Sequence, residues 1–303
     1  VRVFELSLQR LIVVTGKGGV GKSSISAAMA LQYARSGLQT LVCEVNTQER
    51  ISRLLGHSPA GPDVTLLEEN LWAVDVRPEE AMREYALMVL KFEAIYSAVF
   101  ENRLGRAFLR FIPSLQELVL LGKILYHLKE RRADGSMRFD KVIVDAPATG
   151  HAITFLSVPQ VLLNTVPPGA MAKEAKWMRD LLIDPKTTAV VLVSLPEDLP
   201  VSETIELHQA LVDQVKLNTA LVVLNAFVET RFSADEVHAL KTNPLRSLVD
   251  THVARAERSL QSFHRLSSMN LPIVKVPRLF VSEFDRRAIL EIGRVLTSQR
   301  GAP

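Results

Sequence analysis

Gly16-Lys17-Gly18-Gly19-Val20-Gly21-Lys22-Ser23 fits the phosphate-binding pattern G-x-x-x-x-G-K-[ST]. Leu11-Ile12-Val13-Val14 precede it, a β-branched run that reads as a buried strand. Ser24 to Tyr33 follow it, an Ala-rich stretch of good helix propensity. The pattern needs this strand, loop and helix order. Glycines let the backbone N–H groups of Gly18, Gly19, Val20, Gly21 and Lys22 turn inward around a phosphate, and the helix opening at Ser23 and Ser24 adds its partial positive charge. Lys22 is expected to reach the β- and γ-phosphates of ATP, and Ser23 to ligate Mg²⁺. Four fixed positions match by chance in a chain of this size at roughly the one per cent level.

Outward from the loop, strands and helices alternate. Thr40 to Val45 reads as a second strand, followed by a short helix to about Leu55, and Leu71 to Val76 as a third strand. Val142-Ile143-Val144 is a fourth, ending at Asp145. Strands are also expected at Thr188–Leu195, Leu221–Asn225 and Ile273–Val276. Helices are expected at His151–Thr165, Ala170–Leu182 and about Phe284–Ser298, with a capping box at Ser233-Ala234-Asp235-Glu236 opening another. Between the third and fourth strands lies an insertion of about 78–132. It is strand-free and helical in pattern, with Met82, Tyr85, Met88, Val89, Phe92, Ile95 and Tyr96 at helical spacing. The expected fold is α/β: a doubly wound, mostly parallel sheet of the P-loop NTPase type with a helical insertion. Residues 1–303 read as one such domain, the helical subdomain being the insertion.

Composition narrows the field. With 303 residues, 48% of them hydrophobic, the chain buries a large core. A formal charge of +3 is mildly basic, but there is no block of like charges and no basic stripe, so no nucleic-acid partner is expected. One cysteine, Cys43, excludes an intrachain disulfide and a Cys-rich zinc site; its strand context marks a structural thiol. The uncharged run Ala152–Ala172 contains Pro159, Pro167 and Pro168, which argues against an integral membrane segment. No secretory signal is visible, and a cytoplasmic location is expected.

Two motifs carry a resemblance. The second lysine of G-K-G-G-V-G-K-S, Lys17, resembles the deviant phosphate loop of the Min and Par ATPases and the nitrogenase iron protein. The resemblance implies a dimer in which Lys17 crosses the interface to the partner's phosphates. Asp145-Ala146-Pro147-Ala148-Thr149-Gly150-His151 is similar to the switch II sequence of the arsenite-pump and tail-anchored-protein-targeting ATPases. A carboxylate at the end of a buried strand suits the Mg²⁺ side of the site, so Asp145 joins Ser23 as an expected metal residue. Ser114 to Leu118 with Gly122-Lys123-Ile124, and Leu195-Pro196-Glu197 with Val201, Glu203 and Thr204, resemble two further stretches of that family. Asn225, Pro277 and Arg278 fall where the family contacts adenine; for Asn225 a strand-end turn role remains open.

Two departures qualify the resemblance. Asn46 stands where the family has a switch I aspartate that positions the attacking water. An amide orients water without taking its proton, so hydrolysis is expected to be slow, with Glu44 and Glu49 as nearby carboxylates. Cys43 alone supports neither arsenite binding nor a zinc-bridged dimer. The expected function is therefore an ATP- and Mg²⁺-dependent ATPase with Lys17, Asn46 and Asp145 as its catalytic residues. It would form a homodimer or a heterodimer with a paralogous ATPase. Its nucleotide state would switch a membrane-protein client or a cytoskeletal partner, with the 78–132 insertion either a client groove or core. A Min- or Par-like localisation factor and a slow regulatory subunit are the alternatives.

Overall fold

The computed structural model describes residues 6, 8–45, 50–78, 80–81, 115–240 and 244–298. Eight strands make one sheet: β1 (Leu11–Gly16), β2 (Thr40–Val45), β3 (Thr65–Glu68), β4 (Leu71–Val76), β5 (Lys141–Ala148), β6 (Thr188–Ser194), β7 (Thr219–Phe227) and β8 (Ile273–Pro277). Their order is β3-β4-β2-β5-β1-β6-β7-β8, and only β3 runs antiparallel. The strands match the β-branched runs of the sequence. β3 has no counterpart in the sequence reading. It is a four-residue edge strand turned back by Glu69 and Asn70, the latter at φ 61°, and Leu66 on it faces solvent, so no alternating pattern betrays it.

The central strands are buried on both faces, as a parallel sheet requires. Leu11 and Val13 of β1 join one core; Ile12 and Val14 join the other. The second core is closed by α1 (Lys22–Arg35) and α9 (Arg286–Ser298), which pack against each other. On the same side, α2 (Arg50–Leu54) rests on α1. The first core is closed by α3 (Leu115–Tyr126), α4 (Thr149–Thr165), α5 (Ala170–Ile183), α6 (Asp198–Ala210) and the long α8 (Arg246–Ser267). Between α6 and β7, Leu211–Val215 winds as one π-helical turn. The short α7 (Ala234–Ala239) begins at the expected capping box, with the Ser233 hydroxyl accepting from Glu236 N and the Glu236 carboxylate accepting from Ser233 N.

Within the insertion, residues 82–114 lie outside the described residues, and with them the groove reading. Its described end is shorter in helix than the sequence suggests. α3 stops at Tyr126, and an isolated antiparallel bridge pairs Arg131 with Met137 around the Gly135 turn. Cys43 is fully buried on β2, and burial pushes its thiol pKa up, as a structural cysteine requires. No helix among the described residues is long and apolar enough to cross a membrane.

Candidate active site

The site forms where the chain leaves β1. In the order β5-β1-β6 the loop after β1 opens at the carboxyl ends of the central strands, where ligands of open α/β sheets bind. Two glycines are dictated by close approach. A Cβ on Gly16 would come within 2.2 Å of the Val193 carbonyl oxygen on β6, and one on Gly21 within 2.3 Å of Asn225 Nδ2. Both have positive φ, 150° and 95°. Gly21 caps α1 in the left-handed region and its carbonyl accepts from Ile25 N at 3.0 Å. The first N–H groups of α1 are thereby left to face the loop.

Register brings Asp145 to this loop: Val14 pairs with Asp145, and Gly16 with Ala148. The Asp145 carboxylate is 2% exposed and accepts from Ser23 Oγ at 2.6 Å and Ser26 Oγ at 3.3 Å. Burial raises its pKa, against the lowering effects of the two hydroxyls and of Lys22 and Arg50. Lys22 is half-buried, and burial lowers its pKa. Its Nζ donates to the Lys17 carbonyl at 3.1 Å, so the ammonium lies across the mouth of the loop. Thr15 Oγ1 donates to the Pro147 carbonyl at 3.1 Å and ties the loop's base to the strand end carrying Asp145.

Two cavities meet here. One, of about 450 Å³, runs from Lys22, Ser23 and Asp145 along Pro147, Ala148 and His151 to Gln116 and Glu117 of α3. The other, of about 460 Å³, runs from Gly19, Gly21 and Ser24 to Arg53, Leu54 and Phe284. Lys22, Ser23 and Arg50 line both. These volumes lie in the range of small-molecule pockets. The donor set fits a hard cation beside a polyphosphate: one hydroxyl and one buried carboxylate, with a lysine and an arginine near by.

Comparison with known proteins now adds the family. The family model described as anion-transporting ATPase matches residues 9–168 and 168–246. The chain belongs to this family. It is 33% identical over 230 residues to the ATPase BagA of Mycobacterium tuberculosis, covering 73% of this chain and 66% of that protein. It is 29% identical over 183 residues to the ATPase ARSA1 of Chlamydomonas reinhardtii (50% and 22%). Against the ATPase GET3 of Kluyveromyces lactis it is 30% identical over 164 residues (52% and 47%). The chain thus spans just under two thirds of the mycobacterial relative and less than half of the other two.

As a member of the anion-transporting ATPase family, the chain gathers most of the expected residues at one place. Gly18 to Ser24 form the loop and the first turn of α1, with Asp145 against Ser23. Asn46 and Glu49 lie outside the described residues. Glu44 is taken up structurally: its buried Oε1 accepts from Arg50 N at 2.7 Å and Ile51 N at 3.0 Å and holds the start of α2. Lys17 points within its own chain, its Nζ 2.6 Å from Glu203 Oε1 on α6; the other Glu203 oxygen accepts from Thr149 Oγ1 at 3.4 Å. Asn225 donates from Nδ2 to the Val20 carbonyl at 2.9 Å and accepts on Oδ1 from Ala226 N. The structure thus gives Asn225 a role in bracing the loop. Pro277 ends β8, and Arg278 N donates to the Phe227 carbonyl while its guanidinium lies 5.9 Å over Phe280. From this strand end, the loop carries Phe284 to the second cavity.

Sequence reasoning missed Arg50, Arg53 and Phe284, and quoted Glu203 without giving it a role. For the arginines a signal existed. Residues three apart share a helix face, and Arg50 and Arg53 both face the second cavity.

Proposed function

We propose that this chain binds ATP with Mg²⁺ and hydrolyses it, and that the nucleotide switches its association with a second ATPase subunit and a protein partner. The observation that carries the reading is the Ser23–Asp145 contact of 2.6 Å beside Lys22, at the opening of α1. A phosphate loop alone would suit many anions. A hydroxyl and a buried carboxylate joined at its end suit a nucleoside triphosphate with its cation. Ser23 and Asp145 would hold the ion directly or through water. When bound, the ion neutralises charge on the phosphate oxygens. The backbone N–H groups of Gly18 to Lys22 would bind and orient the phosphates, and Lys22 would bear on the terminal pair. The family and its ATPase relatives support hydrolysis rather than binding alone.

The dimer reading takes a specific form. In the single chain Lys17 is engaged with Glu203, so closure of two subunits on a shared pair of nucleotides would require Lys17 to leave that partner. Thr149, at the start of α4, bonds to the same carboxylate, so its release would be felt in switch II. Asn46 would position water in place of an aspartate. The test is Lys22→Ala, measured by calorimetric titration with ATP·Mg²⁺ and by phosphate release. A loss of affinity or turnover of about 100-fold or more is expected. Unchanged phosphate release would sink the assignment.

A further inference from the structure

We propose that Arg50 supplies, from within the same chain, a positive charge to the terminal phosphate of bound ATP. The inference rests on the ATPase reading and adds a residue to it. Arg50 is the first residue of α2, a helix whose start is fixed by the buried Glu44 carboxylate through the backbone N–H groups of Arg50 and Ile51. Ile51 is fully buried beneath it. The backbone is therefore held and the side chain is left exposed. Among the described residues the Arg50 guanidinium makes no hydrogen bond or ion pair, whereas Arg77, Arg265 and Arg286 each meet a carboxylate.

Position decides what that guanidinium serves. Arg50 lines the cavity that contains Asp145 and His151 and also the cavity that contains Gly19, Gly21 and Ser24; Arg53, one turn on, lines only the second. Arg50 thus stands where the two volumes join at Lys22 and Ser23, the end of the loop that receives the β- and γ-phosphates. Its charge acts on both Lys22 and Asp145, which places it within electrostatic reach of each. Lys17, the other cation of the loop, is neutralised by Glu203 in the single chain. Arg50 is then a second cation, beside Lys22, available to the terminal phosphate before any second subunit arrives. In hydrolysis the bond from water oxygen to phosphorus forms as the bridging P–O bond breaks. The electron pair leaves on the ADP oxygen, and the water's proton passes to the released phosphate or solvent. Arg50 exchanges no proton; it stabilises charge on the oxygens being transferred.

The experiment compares wild type, Arg50→Ala, Arg50→Lys and Arg53→Ala. ATP·Mg²⁺ and ADP·Mg²⁺ affinities are measured by calorimetry, and kcat by phosphate release. Arg50→Ala is expected to lower kcat and ATP affinity by at least about 10-fold each while ADP affinity changes by less than about 3-fold. Arg50→Lys should recover part of the loss, and Arg53→Ala should weaken ATP and ADP alike. The Glu44 bonds use backbone N–H groups, so an unchanged unfolding midpoint confirms that Arg50→Ala is folded. Equal weakening of ATP and ADP by Arg50→Ala, or an unchanged kcat and ATP-to-ADP preference, would overturn the proposal. Absence of nucleotide binding by the wild type would instead remove the ATPase reading beneath it.

Discussion

Replacing Asp145 by Asn is expected to stabilise the nucleotide-free protein while removing the Mg²⁺-dependent turnover proposed for it. Asp145 sits on a strand flanked by β1 and β2, 2% exposed, with two hydroxyl donors and no direct ion pair among the described residues. Lys22 is the nearest compensating charge, but its ammonium donates to the Lys17 carbonyl instead. Desolvation therefore dominates and raises the Asp145 pKa. The asparagine keeps an acceptor for Ser23 and loses the buried charge. An ionised carboxylate that burial disfavours costs stability in the folded state, so its neutral replacement is expected to stabilise by about 1–2 kcal/mol. For a chain of 303 residues that corresponds to roughly 2–3 °C in Tm. The pH dependence has a definite sign. A carboxyl whose folded pKa is raised binds more protons folded than unfolded, so it removes stability as pH rises from the unfolded value toward the folded one. The gain in Asp145→Asn should therefore be absent near pH 3.5, grow above it, and level off past the folded pKa. The assay is urea unfolding of both proteins across that range without nucleotide, with phosphate release measured separately at neutral pH. A destabilised Asp145→Asn at pH 7.5 would refute the reasoning, because it would show that the surrounding dipoles more than repay the buried charge.

Two further perturbations test separate parts of the structure. Glu203→Gln frees Lys17 from a contact of 2.6 Å whose partners are each 27% exposed. A pair so placed contributes about 0.5–1.5 kcal/mol and each subunit of the proposed homodimer gives one up, so ATP-dependent dimerisation measured by sedimentation should tighten by roughly 5- to 100-fold. Weaker dimerisation would mean that Glu203 acts in the closed state. Lys141 is buried at the start of β5, and its Nζ donates to the carbonyls of Leu6 and Gln9 at 2.9 and 2.6 Å. Burial lowers its pKa to about 8. The unfolded chain then binds more protons between that value and the ordinary lysine pKa, so stability from this group rises with pH across that window. Wild type should gain on Lys141→Met from pH 8 to pH 10 in urea unfolding, and a parallel pair of profiles would contradict the assignment.

The sequence was most legible where one signal dominated. Buried parallel strands are mostly apolar runs, so β2 and β4, each with a single carboxylate among apolar or β-branched residues, coincide with their sequence boundaries. The phosphate loop was legible because Gly16, Gly19 and Gly21 answer a positive-φ geometry that other residues rarely adopt. Where position depends on tertiary packing, the sequence was silent. β3 is too short and too exposed to show a period. Glu44 looked like spare catalytic acid, and only the fold shows it spent on the start of α2. Asn225 was read by its amide chemistry, yet its neighbour is fixed by strand order, which sets β7 one strand away from β6 and brings Val20 within reach. The arginines of α2 carry no motif of their own, and only the fold sets the face they share toward the second cavity.

Two of the cations of the proposed site, Arg50 and Lys17, answer different questions. Arg50 is carried by a helix whose start is fixed from beneath, and it lines both cavities that flank Lys22 and Ser23. It is therefore suited to report whether a terminal phosphate is present. Lys17 is carried by the loop itself and is already satisfied by Glu203. A second chain that offered its phosphates to Lys17 would have to outbid that carboxylate, and a phosphate group with its cation carries enough charge to do so only when correctly placed. On the proposed function, nucleotide occupancy and subunit closure would be separate equilibria, joined through the Glu203 carboxylate that also holds Thr149. That junction, rather than the phosphate loop alone, is where ATP binding would become a change in what the protein associates with.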